Sequence, residues 1–159
     1  MKHPNCRKSP RVVSSVMAPL SDRCDTIRRR RVLAVDDNPE LRHLIALYLQ
    51  RHGYEVALAE NGHQAWQMFR RAPYDLVITD LQMPVMNGAA LMARIKTLAP
   101  ETPVVIVTGE IETAVRDMVD GHGPAQAVLA KPFDFDTLLK TVAALIATEP
   151  AAAAITITL

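Results

Sequence analysis

Leu76-Val77-Ile78-Thr79-Asp80 is a short apolar run closed by a carboxylate. Three runs of the same build lie around it. Val32-Leu33-Ala34-Val35 is followed by Asp36 and Asp37, Val104-Val105-Ile106-Val107 by Thr108, and Ala127-Val128-Leu129-Ala130 by Lys131. Short aliphatic, β-branched runs bounded by polar residues read as buried strands. If they are parallel neighbours, their polar end groups all emerge at the carboxyl edge, which is where open α/β sheets bind ligands. The chain then carries one site built from four strand ends.

Tyr54–Leu58 supplies a further strand, and helical patterns fill the intervals. Asn38-Pro39-Glu40 reads as an N-cap, a proline in the first turn and an early acid, and Gly53 ends the helix that follows. Leu41, Leu44, Ile45 and Tyr48 are its predicted buried stripe. Asn61-Gly62 opens the next helix, with Ala65, Met68, Phe69 and Ala72 at helical spacing before Pro73. A third runs from Gly88 through Leu91, Ile95 and Leu98 to Pro100, and a weakly amphipathic fourth spans about residues 110–119. The last, Phe135 to Ala147, turns Leu138, Leu139, Val142, Leu145 and Ile146 toward the sheet. Strict alternation with short connections implies right-handed crossovers and helices on both faces of a parallel sheet. The expected class is α/β, a flavodoxin-like doubly wound five-stranded parallel sheet of order 2-1-3-4-5, whose switch point between the first and third strands is flanked by Asp36, Asp37 and Asp80.

Composition bounds the rest. With 159 residues and 49% hydrophobic content the chain builds one core. Residues 1–30, with Pro4, Pro10, Pro19 and the run Arg28-Arg29-Arg30-Arg31, read as a flexible basic extension. Residues 31–147 form the domain, and 148–159 read as a tail. Met17 offers a second translation start beside Met1. A formal net charge of +1 gives no single-sign field to attract nucleic acid, and four arginines on an arm do not specify a base sequence. Cys6 and Cys24 lack the spacing of a metal site or disulfide framework and read as reduced thiols. No apolar run is long enough to span a bilayer, so the expectation is a soluble, cytoplasmic protein.

Three converging carboxylates repel one another unless a cation joins them. The oxygen donors of Asp36, Asp37 and Asp80 select a hard divalent ion, Mg²⁺ above all, over zinc. Mg²⁺ held by few carboxylates commonly completes its shell with phosphate oxygens, which points to phosphoryl transfer. Lys131 then offers a point charge and Thr108 a hydroxyl to the phosphoryl group. Asp80, on the central strand, is the candidate nucleophile, and attack on phosphorus would give an aspartyl phosphate.

These stretches resemble the receiver domain of two-component response regulators. The residues that carry the resemblance are Val35-Asp36-Asp37-Asn38, Asp80-Leu81-Gln82-Met83-Pro84-Val85-Met86-Asn87-Gly88, Thr108-Gly109 and Lys131-Pro132-Phe133, and it covers about residues 31–147. The resemblance implies that Asp80 is the phosphoacceptor. It implies that Asp37, Asp80 and the backbone carbonyl of Gln82 bind Mg²⁺ with Asp36 helping through water, that Thr108 follows the phosphoryl group, and that Lys131 pairs with it. It further implies a cis Lys131-Pro132 bond, and it gives Gln82 and Glu110 positions that tune water access. Many members carry an aromatic residue three places before the lysine, where this chain has Val128. Signalling is therefore expected to rely on Thr108 and on movement of the 110–119 segment.

The function implied is a stand-alone response regulator. Its donor would be a sensor histidine kinase or phosphotransfer protein, and its output protein binding through the face of the 110–119 helix, the 127–130 strand and the 135–147 helix, as a monomer or weak dimer. No turnover of a separate substrate is expected. Two other classes compete: a phosphorylation-independent interaction module of the same fold, and a Mg²⁺-dependent small-molecule phosphatase with an aspartyl intermediate. The latter wants a second acid beyond the nucleophile and a cap; Leu81-Gln82 provides neither. Met83, Met86 and Gly88 read as loop packing, Trp66 as a helix residue packed near the sheet, and His43, His52, His63 and His122 as surface residues.

Overall fold

Three asparagines, lying three, two and seven residues beyond the ends of the strands before them, start the first three helices. In the computed structural model, which describes residues 28–112, 116, 125–147 and 156–158, Asn38 Oδ1 accepts from the amides of Glu40 and Leu41 at 2.9 and 3.3 Å. Asn61 accepts from Gln64 and Asn87 from Ala90, at 2.9 and 2.8 Å. Each cap satisfies amides that have no partner within the helix. The elements they punctuate are β1 (Arg31–Val35), α1 (Pro39–Arg51), β2 (Glu55–Ala59), α2 (Gly62–Arg71), β3 (Leu76–Asp80), α3 (Gly88–Leu98) and β4 (Val104–Thr108). Then follow β5 (Ala127–Ala130), α4 (Phe135–Ala147) and β6 (Thr156–Thr158). Gly53, at φ +91°, ends α1 in the left-handed region. The helix predicted at 110–119 falls largely outside the described residues, as does His122.

All strand pairs are parallel, in the order β2-β1-β3-β4-β5-β6. The doubly wound order 2-1-3-4-5 expected from the sequence is present, and the sheet continues by one strand. Part of the stretch read as a tail, Thr156–Thr158, pairs along the outer edge of β5. Its alternation of isoleucine and threonine suits a strand, but three residues are too few to stand out from a polar end by pattern alone.

Side chains alternate across the sheet. Leu33, Val35, Val77, Val104, Ile106 and Val128 pack under α2 and α3 with Ala65, Phe69, Leu91, Met92 and Ile95. Val32, Ala34, Leu76, Ile78, Val105, Val107 and Leu129 meet Ile45 and Leu49 of α1 and Leu138 and Val142 of α4. Each large aliphatic side chain fully withdrawn from water contributes about 1.5–3 kcal/mol. Trp66 packs against the first of these clusters, and His43, His52 and His63 lie at the surface.

Two predicted core positions are corrected. Leu44 is 52% exposed and Leu98 57%. The inner stripe of α1 is Leu41, Ile45 and Leu49, successive residues four apart, with Ala46 beside it. Leu44 lies one residue round from that line, about 100° away on a helix of 3.6 residues per turn. In α3 the sheet is met by Ala89, Met92 and Ile95 with Leu91, before Leu98 rotates outward at the last turn.

The basic run before β1 is anchored to the opposite end of the sheet from the polar strand ends. Asp75 accepts from the Arg31 amide at 2.7 Å and pairs with Arg30 at 3.2 Å, while Arg31 pairs with Glu55 at 3.0 Å and lies over the ring of Tyr74. These are largely exposed pairs, each contributing below about 1 kcal/mol.

Candidate functional site

The carboxyl ends of β1, β3 and β5 bring an ammonium between two acids. Asp36 follows β1, Asp80 closes β3, and Lys131 follows β5. Lys131 Nζ donates to Oδ2 of Asp80 at 2.6 Å and to Oδ2 of Asp36 at 2.8 Å. Both acids are buried, at 8% and 2% exposure. Burial draws the lysine's pKa down, but the hydrogen bonds and charges of Asp36 and Asp80 outweigh it and hold the group above the usual lysine value.

The remaining oxygens are held by backbone. The Asn38 amide donates to Oδ1 of Asp36 at 2.8 Å, and the Gln82 amide to Oδ1 of Asp80 at 3.2 Å. Arg42, from the first turns of α1, donates to the carbonyl of Asp36. Sequence reasoning missed Arg42, because a basic residue on an amphipathic helix looks like any solvated charge. A signal existed in its place one turn inside the N-cap, within reach of the strand end before it.

Carboxylate oxygens of Asp36, Asp37 and Asp80 lie within 4.8 Å of one another, with Asp37 exposed at the mouth. Three carboxylates against one ammonium leave two formal negative charges, in a set of hard oxygen donors. That donor set fits a hard divalent cation such as Mg²⁺. Part of the role of a joining cation falls to Lys131 itself, which bridges Asp36 and Asp80. Asp36 is the most deeply buried of the three acids and is bonded directly to the lysine.

Thr108 closes β4, the strand beside β3, with Asp80 in register with Val107. Its hydroxyl is buried and accepts from the Glu110 amide at 3.1 Å. The Lys131 amide donates to the Thr108 carbonyl at 2.8 Å, tying the two strand ends together, and the Lys131-Pro132 bond is cis. Gln82 is exposed beyond Asp80, and Val128 is fully buried in the sheet's α2–α3 face.

Close packing keeps the loop after Asp80 in place. A Cβ on Gly88 would stand 2.1 Å from the carbonyl oxygen of Asp80, and one on Gly62 would stand 2.5 Å from that of Met86. Only glycine lets α3 begin against the backbone that carries the acid. Val85, in the same loop, takes φ 71° and is 83% exposed. Among the described residues, no helix is long and apolar enough to cross a membrane.

Comparison with known proteins agrees with this geometry. The chain is 40% identical over 113 residues to the transcriptional regulatory protein ZraR of Escherichia coli, covering 70% of this chain and 25% of that one. It is 42% identical over 89 residues to the autoinducer 1 sensor kinase/phosphatase LuxN of Vibrio campbellii, covering 56% of this chain and 10% of that protein. The chain thus spans a quarter or less of these relatives. Among solved structures, chemotaxis protein CheY4 of Vibrio cholerae superposes with a TM-score of 0.68 at 33% identity, covering 74% of this chain and 98% of the other. The response regulator TrrA of Thermotoga maritima, solved in complex with Mg²⁺-BeF, gives 0.65 at 33% identity over 73% and 98%. Residues 32–143 match the model of the response regulator receiver domain. That span holds all the strand ends that converge on Asp80, and the chain belongs to the response regulator receiver domain family of two-component signal transduction.

Proposed function

We propose that Asp80 is the phosphoacceptor of this receiver domain, with Asp37, Asp80 and the Gln82 carbonyl holding Mg²⁺ and Asp36 acting beside them. The observation that carries this reading is the position of Asp80: buried, 2.6 Å from the Lys131 ammonium and within 4.8 Å of two further acids. Phosphorylation on aspartate and Mg²⁺ binding are typical of the family. When bound, the ion supplies charge that screens the acids from the incoming phosphoryl group.

The remaining steps fall to the chain's own residues. A carboxylate oxygen of Asp80 attacks phosphorus, the bond from phosphorus to the donor's histidine nitrogen breaks, and that nitrogen keeps the electron pair. Lys131 exchanges a carboxylate partner for a phosphoryl oxygen, and the buried Thr108 hydroxyl turns from the Glu110 amide toward the new anion. The event adds charge where two strand ends are tied together, which suits a conformational signal. The donor is a histidine kinase or phosphotransfer protein. The output is binding of a partner by a face that includes β5 and α4.

Intact-protein mass after incubation with acetyl phosphate, with and without Mg²⁺, tests the reading. One phosphoryl adduct that requires Mg²⁺ and is lost in Asp80→Asn is the expected result. No adduct where Mg²⁺ demonstrably binds would reject it in favour of a phosphorylation-independent module.

A further inference from the structure

The two borders of the sheet are built differently. β2 opens on the exposed Glu55, paired with Arg31, a charge of the kind that discourages edge-to-edge pairing. β5, Ala127-Val128-Leu129-Ala130, has neither charge nor proline, so its outer edge would be an open template for another strand. Thr156–Thr158 lies on that edge, with Ala127 opposite Thr156, Val128 opposite Ile157 and Leu129 opposite Thr158. The pairing ends two residues before Lys131.

A three-residue strand is a shallow hold compared with the strand pairs inside the sheet, and short peripheral elements open first. Residues 148–159 carry a single charged side chain, Glu149, so charge does little to oppose docking on the apolar edge or to hold the segment in water. We propose that the β5 edge is a strand-accepting surface, occupied in this chain by its own 156–158 segment. A partner that adds an extended segment parallel to β5 must first displace it. The proposal rests on the reading that β5 belongs to the output face, and it adds an intramolecular competitor to that face.

The register specifies the test. The Lys131 amide points to β4, where it donates to the Thr108 carbonyl. By the alternation of a strand, the amides of Leu129 and Ala127 also face β4, while that of Val128 faces β6. With Val128 opposite Ile157, the amide that reaches the Val128 carbonyl is that of Thr158. Amide exchange followed by NMR in the full chain and in Thr158→Pro should therefore accelerate about tenfold or more at Val128 in the variant, with Ala127 and Leu129 unchanged. A synthetic peptide of residues 149–159 should bind the Thr158→Pro chain, restore protection at the Val128 amide, and leave the unmodified chain unbound. Equal exchange in the two chains, or equal peptide binding by both, would overturn the proposal. Neither readout involves phosphoryl transfer, so the acetyl phosphate experiment on Asp80 stands or fails separately.

Discussion

The ammonium of Lys131 stands 2.6 Å from Oδ2 of Asp80, and the same nitrogen stands 2.8 Å from Asp36. The residue proposed to meet the phosphoryl group is thus already employed as the counter-ion of two buried acids. Lys131→Met leaves those acids uncompensated, and a lost buried partner costs about 3 kcal/mol. We expect the variant to melt lower in Mg²⁺-free buffer and to regain more stability than the unmodified chain when Mg²⁺ is added. Calorimetry with EDTA and with Mg²⁺ measures both. An equal Mg²⁺ response in the two proteins would separate the lysine from the metal site.

Gly88 is expected to be intolerant of any side chain. The added Cβ of Gly88→Ala meets backbone at 2.1 Å, which cannot swing aside. Either α3 shifts or the strand end does, at a cost of about 3 kcal/mol. Denaturant unfolding should show that loss, and acetyl phosphate uptake should fall with it because the displaced atoms belong to Asp80.

Val85 presents the opposite case. A β-branched residue at φ 71° is strained, and at 83% exposure it offers little packing in return. Val85→Asn, which adopts the left-handed region more readily, should stabilise the domain by about 1 kcal/mol. An unchanged or lowered melting temperature would show that the valine makes a contact of its own.

Asp134 caps α4: its Oδ2 accepts from the amide and hydroxyl of Thr137 at 3.0 and 3.2 Å. The backbone hydrogen bond from Thr137 holds its pKa below the ordinary 3.8. A carboxylate with a depressed folded pKa contributes stability that is present above the unfolded value and lost as pH falls through the folded one. The melting temperatures of the unmodified chain and Asp134→Ala should therefore differ at pH 7 and converge as pH drops below 3.8. A gap that persists at the lowest pH would mean that the cap acts through something other than its charge.

Much of this protein is local in its causes, and the sequence alone determined that much. Apolar runs at Val32, Leu76, Val104 and Ala127 became strands because nothing in them is polar enough to leave the core. Asn38, Asn61 and Asn87 started helices because a short side-chain acceptor satisfies free amides. The set Asp36, Asp37, Asp80, Thr108 and Lys131 could be named because strand ends in a parallel sheet share one edge. Other features depend on what a residue meets across space. Leu44 and Leu98 are as apolar as their buried neighbours, and only the rotation of each helix against the sheet turned them to water. Arg42 belongs to the site because α1 brings it back over Asp36, and Lys131 bridges Asp36 and Asp80 because β5 ends where their oxygens already converge. Val85 and Gly88 differ in tolerance through backbone that lies far from obvious in the chain. The last strand is the clearest instance: three residues have too little pattern to declare themselves, and it was the open edge of β5 that made them one.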